Sequence, residues 1–144
     1  MNFEKLKSIY GECELIQDKI LVKNNIHDVI KFSVDNYSFN MLKSITAIDL
    51  GNCIELQYKL YSTENEEEVI FAINLQNETE SVTDLFDSAT ADENEIYDMF
   101  GIKFIGNRNL RRLYMPENWE GFPLRKDYVQ DDTRLAWNDN SNNT

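Results

Sequence analysis

Apolar and polar positions alternate most clearly in the middle of the chain. In CIELQYKLY, Ile54, Leu56, Tyr58 and Leu60 are separated by Glu55, Gln57 and Lys59; in EVIFAINL, Val69, Phe71, Ile73 and Leu75 are separated by Ile70, Ala72 and Asn74. A period of two places alternate side chains on one face, so each segment predicts a strand with one apolar side. The polar stretch Ser62 to Glu68 then reads as the hairpin loop, its glutamates forming a solvated tip. KSITAIDL, just upstream, adds a third antiparallel strand ending near Gly51.

Helical spacing surrounds these strands. Ile26, Val29, Ile30, Ser33 and Tyr37 share one face of a helix over 26–39, with Asn24 or Asn25 as its cap and Asp28 in its first turn, where the helix dipole favours a negative charge. Phe3, Leu6, Ile9 and Tyr10 predict a shorter helix stopped by Gly11, and CELIQDKILVK reads as one or two strands around a Gln17-Asp18 turn. A sheet with one apolar face needs a cover, and the helix over 26–39 is the natural one. Ser81-Val82-Thr83-Asp84 and Thr90-Ala91-Asp92-Glu93 both fit the capping pattern of a helix start. The second of these helices has Ile96, Met99 and Phe100 on its apolar side, Gly101 as its stop, and Asp92, Glu93 and Glu95 as first-turn acids.

After Gly101 the periodicity fades into an arm with turns at Pro116 and at Gly121-Phe122-Pro123. The expected architecture is therefore α/β of the α+β kind: a mainly antiparallel sheet covered by helices, with an extended C-terminal arm. The boundaries read as a core over 1–103, an arm over 104–128 and a polar tail over 129–144. The end of that tail, NDNSNNT, is too poor in apolar residues to offset the entropy of ordering.

Composition narrows the function. At 144 residues and 42% hydrophobic the chain suits one domain with its own core. Its formal net charge is −12, and that charge is unevenly spread: residues 1–100 hold 20 acidic and 7 basic side chains, residues 101–144 hold 6 and 7. Such a surface repels phosphate backbones, which argues against nucleic acid as a partner. The apolar runs are strand-sized, far short of the ~20 residues of a membrane helix. The opening MNFEKLKSIYGE has no secretory pattern, so a cytosolic setting is expected. Cys13 and Cys53 are isolated and His27 stands alone, so no zinc or iron-sulfur ligand set can be assembled. No dinucleotide fingerprint, phosphate loop or serine-nucleophile elbow occurs. The expectation is a binding module with no catalytic, cofactor or metal residues of its own.

The arm is the exception to an ordinary composition. Residues 103–126 contain Lys103, Arg108, Arg111, Arg112, Arg125 and Lys126 against Glu117 and Glu120, and they hold Trp119 and both prolines, Pro116 and Pro123. Aromatic and arginine enrichment of this kind resembles an interface core. Arginine presents a planar fork suited to carboxylates. These side chains therefore either pair with the chain's own acidic surface or reach a partner's.

EIYDMFGIKF, followed by NLRRLYMPENWEGFPLRKDY, resembles the signature of the 30 kDa subunit of bacterial NADH-quinone oxidoreductase (respiratory complex I), a family that includes related subunits of energy-converting membrane hydrogenases. The chain departs from the family's usual pattern at three places. Glu93-Asn94-Glu95 stands where Glu-Arg-Glu is usual, Ala91 where a tryptophan lies near, and Gly106-Asn107-Arg108-Asn109 where Gly-His-Pro-Asp is usual.

The resemblance implies a peripheral subunit on the cytoplasmic side of the cell membrane. Its implied partners are other peripheral-arm subunits and the hydrogenase-like large subunit that lines the quinone site. It implies a complex using NAD, FMN, iron-sulfur clusters and quinone, none of them bound by this chain, which would be part of an enzyme without catalytic residues of its own. The implied subunit-interface residues are Arg111, Arg112, Tyr114, Trp119, Phe122, Pro123, Leu124, Arg125, Lys126, Asp127 and Tyr128. The alternatives are the equivalent subunit of a membrane-bound energy-converting hydrogenase and a free-standing acidic adaptor.

Overall fold

The computed structural model describes residues 1–11 and 13–129, so the tail beyond Val129 lies outside the described residues. The elements run α1 (Phe3–Tyr10), β1 (Cys13–Ile16), β2 (Lys19–Val22), α2 (Ile26–Tyr37), β3 (Met41–Asp49), β4 (Ile54–Ser62), β5 (Glu67–Leu75), β6 (Glu78–Glu80), α3 (Ala89–Phe100) and β7 (Lys103–Ile105). Five strands form one sheet in the order β1-β2-β5-β4-β3. All its joints are antiparallel except β2 with β5, which run parallel with Ile20 beside Phe71 and Val22 beside Ile73. The chain is α+β, as the patterning predicts. The parallel joint is not visible in local sequence, because α2, β3 and β4 intervene before β5 returns beside β2.

The alternation in β4 and β5 translates directly into the core. Ile54, Leu56, Tyr58 and Leu60 are all buried, and Tyr58 lies in register with Ile45 on one side and Phe71 on the other. Leu42 and Ile45 both face the core although they are three apart, because the β3–β4 register shifts between Leu42 and Ser44. A bulge of this kind inserts an extra residue and resets the phase. Helices supply Leu6, Ile26, Val29 and Ile30, which are essentially inaccessible, so the helical face predicted over 26–39 is the face that packs. Each such side chain stabilises the fold by about 1.5–3 kcal/mol.

Four local expectations change. Asn25 does occupy the N-cap of α2, but in the left-handed region (φ 58°) and with no side-chain cap bond; its amide donates to Asn24 instead. No helix forms over 81–87. Ser81 accepts from the Thr83 N–H and donates to Glu93, and Val82 and Phe86 are drawn into the core, leaving a turn. α3 begins at Ala89, and the capping box at Thr90 is not made because the Glu93 carboxylate reaches away to Ser81 and Val82. The segment after Gly101 is not wholly irregular, since β7 pairs parallel with β6. In the hairpin loop Glu64 and Glu66 are exposed as expected, whereas Glu68 bridges Lys43 at 3.1 Å and Lys59 at 3.5 Å.

The Tyr58 hydroxyl is fully buried with no hydrogen-bond partner among the described residues, and burial, with a smaller push from the Glu93 charge, raises its pKa above the ordinary tyrosine value. An unsatisfied buried hydroxyl costs about 1–3 kcal/mol. Tyr58→Phe should therefore leave the thermal midpoint unchanged or raise it, while Phe71→Ala on the neighbouring strand should lose about 3–5 kcal/mol. A loss of more than about 1 kcal/mol for Tyr58→Phe in thermal or denaturant unfolding would show that the hydroxyl is bonded in solution.

Candidate functional site

The arm folds back onto α3, and three buried polar side chains of that helix hold it there. Gly101 ends α3 in the left-handed conformation (φ 76°), donating to the Tyr97 carbonyl, so the chain turns sharply and runs back along the helix. Glu93 receives the Ser81 hydroxyl at 2.7 Å, the Val82 N–H at 2.9 Å and the Asn107 amide at 3.1 Å. Asn94 donates to the Asn109 carbonyl at 3.1 Å. Asp98 accepts the Arg112 Nε–H at 2.8 Å and the backbone N–H groups of Leu113, Tyr114 and Met115 at 3.2, 2.6 and 3.2 Å.

Arg112 has four of its five N–H donors engaged by this arrangement. Besides Asp98 Oδ1 it donates to the carbonyls of Trp119, Asp98 and Gly121 at 2.8, 3.0 and 2.8 Å, and its guanidinium stacks 4.9 Å from the centre of the Phe122 ring. The pair is desolvated, with Arg112 8% exposed and Asp98 fully buried. Burial alone would push the Asp98 carboxyl up. The Arg112 guanidinium and the three N–H donors outweigh it and hold the group below the usual aspartate range.

The free carbonyls at the end of α3 are satisfied by the returning chain. Leu124 N–H donates to Met99 O at 2.9 Å and Arg125 Nη1 to Phe100 O at 2.7 Å. Phe122 lies over Gly101 so closely that a Cβ there would stand 2.5 Å from the ring. Further along, Lys126 N–H donates to Asp49 Oδ2 at 2.8 Å, and that bond, with one from Gly51, lowers the Asp49 carboxyl. Asp92 meanwhile accepts the Ile45 N–H at 3.0 Å, occupying a donor on the open edge of β3.

The residues expected at an interface thus sort by position. Arg112, Phe122 and Arg125 bind inward and shape the loop. Trp119, Pro123 and Tyr128 are half-buried, while Arg111, Tyr114, Leu124, Lys126 and Asp127 are exposed. An open cleft of about 400 Å³ lies among Glu120, Gly121, Phe122, Arg125, Asp127, Tyr128 and Val129. His27, the second residue of α2, holds Asp84 at 2.8 Å.

Sequence reasoning missed Glu93, Asn94, Asp98 and Asp49 as the anchors. One signal was available: Asp98 lies in the last turn of α3, where the helix dipole disfavours a negative charge, so a specific partner was required. Two departures from the family's usual pattern also meet here. Asn107 contacts both Glu93 and Asn94, and Asn94 holds Asn109, so these positions form one internal contact beside the Glu93 carboxylate.

An α+β sheet domain with a C-terminal segment clasped to its last helix is a fold with a solved counterpart. A chain in the structure of the membrane-bound sulfane sulfur reductase, an archaeal respiratory membrane complex, matches it with a TM-score of 0.74 at 21% identity, over 99% of this chain and 89% of that one. The family model for the respiratory-chain NADH dehydrogenase 30 Kd subunit matches residues 20–134, and the chain belongs to that family. An NADH-quinone oxidoreductase subunit of Citrifermentans bemidjiense is 39% identical, over 87% of this chain and 83% of the relative. A chloroplastic NAD(P)H-quinone oxidoreductase subunit of Agrostis stolonifera is 34% identical, over 78% and 76%. An NADH-quinone oxidoreductase subunit of Phocaeicola vulgatus is a longer protein. The chain matches 18% of its length, at 37% identity over 62% of this chain.

The placement of the two neighbouring arginines has a direct consequence for stability. Arg112→Ala leaves Asp98 buried without its cation and should lose about 3–5 kcal/mol, whereas Arg111→Ala, at an exposed position, should stay within about 0.5 kcal/mol. Equal unfolding midpoints for the two variants would contradict the placement.

The buried carboxylates also set a pH dependence. Burial pushes the Glu93 carboxyl above the ordinary glutamate range, partly offset by its three donors. A raised carboxyl contributes stability below its unfolded value of about 4.3 and loses it as pH rises through the folded value. Asp98, held low, contributes above about 3.9 and loses that only as pH falls through its depressed value. As pH rises above about 4.3, the unfolded glutamate value, the thermal midpoint of the natural protein should fall relative to that of Glu93→Gln. Parallel profiles would mean that Glu93 does not titrate in this range.

Proposed function

We propose that this chain is a non-catalytic peripheral-arm subunit of a membrane-associated NADH-quinone oxidoreductase of the complex I type. In this role it scaffolds the hydrogenase-like large subunit at the quinone site. Family membership supports the assembly, and one observation supports the role: a segment with almost no regular structure is held rigidly by buried charge, so that Arg111, Tyr114, Leu124 and Lys126 project outward from a fixed frame. Preorganised side chains lose less entropy on binding, which is what a scaffold contact needs. NAD, FMN, iron-sulfur clusters and quinone belong, in this reading, to other subunits, and the chain lies peripherally on the cytoplasmic side.

The test is to remove the gene, restore it in tagged form, solubilise membranes in mild detergent and analyse the assembly by native gel and mass spectrometry. The chain should co-migrate with the large subunit, and NADH:quinone reductase activity should depend on its presence. A chain that runs as a free monomer while that activity persists in its absence would contradict the proposal and favour an adaptor. Co-migration with a large subunit carrying two CxxC pairs would move it to a hydrogenase-type assembly.

A further inference from the structure

Resting on that docking reading, we infer that residues 103–114 form a cationic recognition strip whose occupant is an acidic protein surface of the partner subunit. The basic side chains of residues 103–126 differ in what they meet. Arg112 and Arg125 are consumed within the fold, on Asp98 and on the Phe100 carbonyl, and the exposed Lys126 lies apart from the strip, next to Asp49, which its N–H holds. Lys103, Arg108 and Arg111 are exposed, and none has a carboxylate within ion-pairing distance among the described residues. This is notable in a chain with 26 acidic side chains and a net charge of −12, where an intramolecular partner would be easy to find. The backbone is fixed around them: β7 pairs with β6, Asn107 is tied to Glu93, the Asn109 carbonyl to Asn94, and the N–H groups of 113–115 to Asp98, so these side chains start from a held main chain.

The strip is not only charged. Ile105 is 57% exposed, Leu113 41% and Tyr114 65%, so apolar and aromatic groups interleave with the cations. Arginine and tyrosine together are the chemistry of an interface hot spot, and a cationic strip on an acidic domain selects an acidic face while the rest of the molecule repels it. The charge complementarity therefore specifies both the partner's chemistry and the side of this chain it approaches.

The experiment expresses Arg108→Glu/Arg111→Glu, Arg108→Lys/Arg111→Lys and Leu113→Ala/Tyr114→Ala, each as the only copy in cells. The fraction of the chain in the assembled complex is measured on native gels, with circular dichroism and melting of each purified chain alongside. The glutamate pair should fold normally and fall at least tenfold in the assembled fraction, while the lysine pair stays within twofold of the natural protein. Raising salt from about 0.1 M to about 1 M, which shortens the Debye length from ~10 to ~3 Å, should release the natural chain. If the glutamate pair assembles fully while Leu113→Ala/Tyr114→Ala does not, the arm docks without charge recognition, and this inference fails while the docking reading stands. If both assemble fully, residues 103–114 are not the contact and this inference fails, while the proposed function, which requires only that the chain assembles, stands. If the glutamate pair assembles fully but abolishes binding of the chain to phosphatidylserine vesicles, the cations face lipid and the inference is overturned.

Discussion

A carboxylate in the last turn of a helix is out of place, and the arm of this protein exists in its present form because Asp98 is there. At that position the helix dipole and the desolvation of a fully buried side chain both oppose the charge. The chain answers with one guanidinium and three consecutive backbone N–H groups, all supplied by residues 112–115. Because every one of those donors comes from the arm, satisfying Asp98 and positioning the arm are the same event. Breaking such a pair costs about 3–5 kcal/mol, a large part of the roughly 5–15 kcal/mol that holds a domain of this size together.

The other contacts elaborate that constraint. Glu93 and Asn94 lie about one turn earlier on α3 and hold Asn107 and Asn109, so the arm is gripped before it reaches Arg112. Phe122 then closes over Gly101, and Arg125 and Leu124 satisfy the helix carbonyls that would otherwise be open. Asp49, at the end of the edge strand β3, takes the Lys126 N–H and joins the arm to the sheet. A segment with little ladder of its own becomes rigid because its backbone polar groups are satisfied by side chains of regular elements.

Much of the fold was legible in the sequence wherever the physics is local. Alternation placed β4 and β5, three-to-four spacing placed the packed face of α2, and glycines ended α1 and α3. What could not be read depends on long-range partners. The parallel β2–β5 joint depends on a strand that returns only after α2, β3 and β4, and the β6–β7 pair consists of segments too short to show a period. At the site, the arm's composition singled out its aromatics and arginines, but not which of them turn inward. Arg111 and Arg112 are neighbours of identical chemistry. Only the position of Asp98 decides that the second is buried and the first is free, and Asp98 itself read as one more acid on an acidic helix.

Amide hydrogen exchange tests the Asp98 cage most directly, because it reports residue by residue. The N–H groups of Leu113, Tyr114 and Met115 lie in a segment without helix or strand, yet each donates to a buried carboxylate. They should exchange far more slowly than the exposed amides of Glu117 and Asn118 in the same loop, and that protection should vanish in Asp98→Asn while the β4 and β5 amides stay protected. Exchange at 113–115 as fast as at 117–118 in the natural protein would mean that the arm is not held by Asp98.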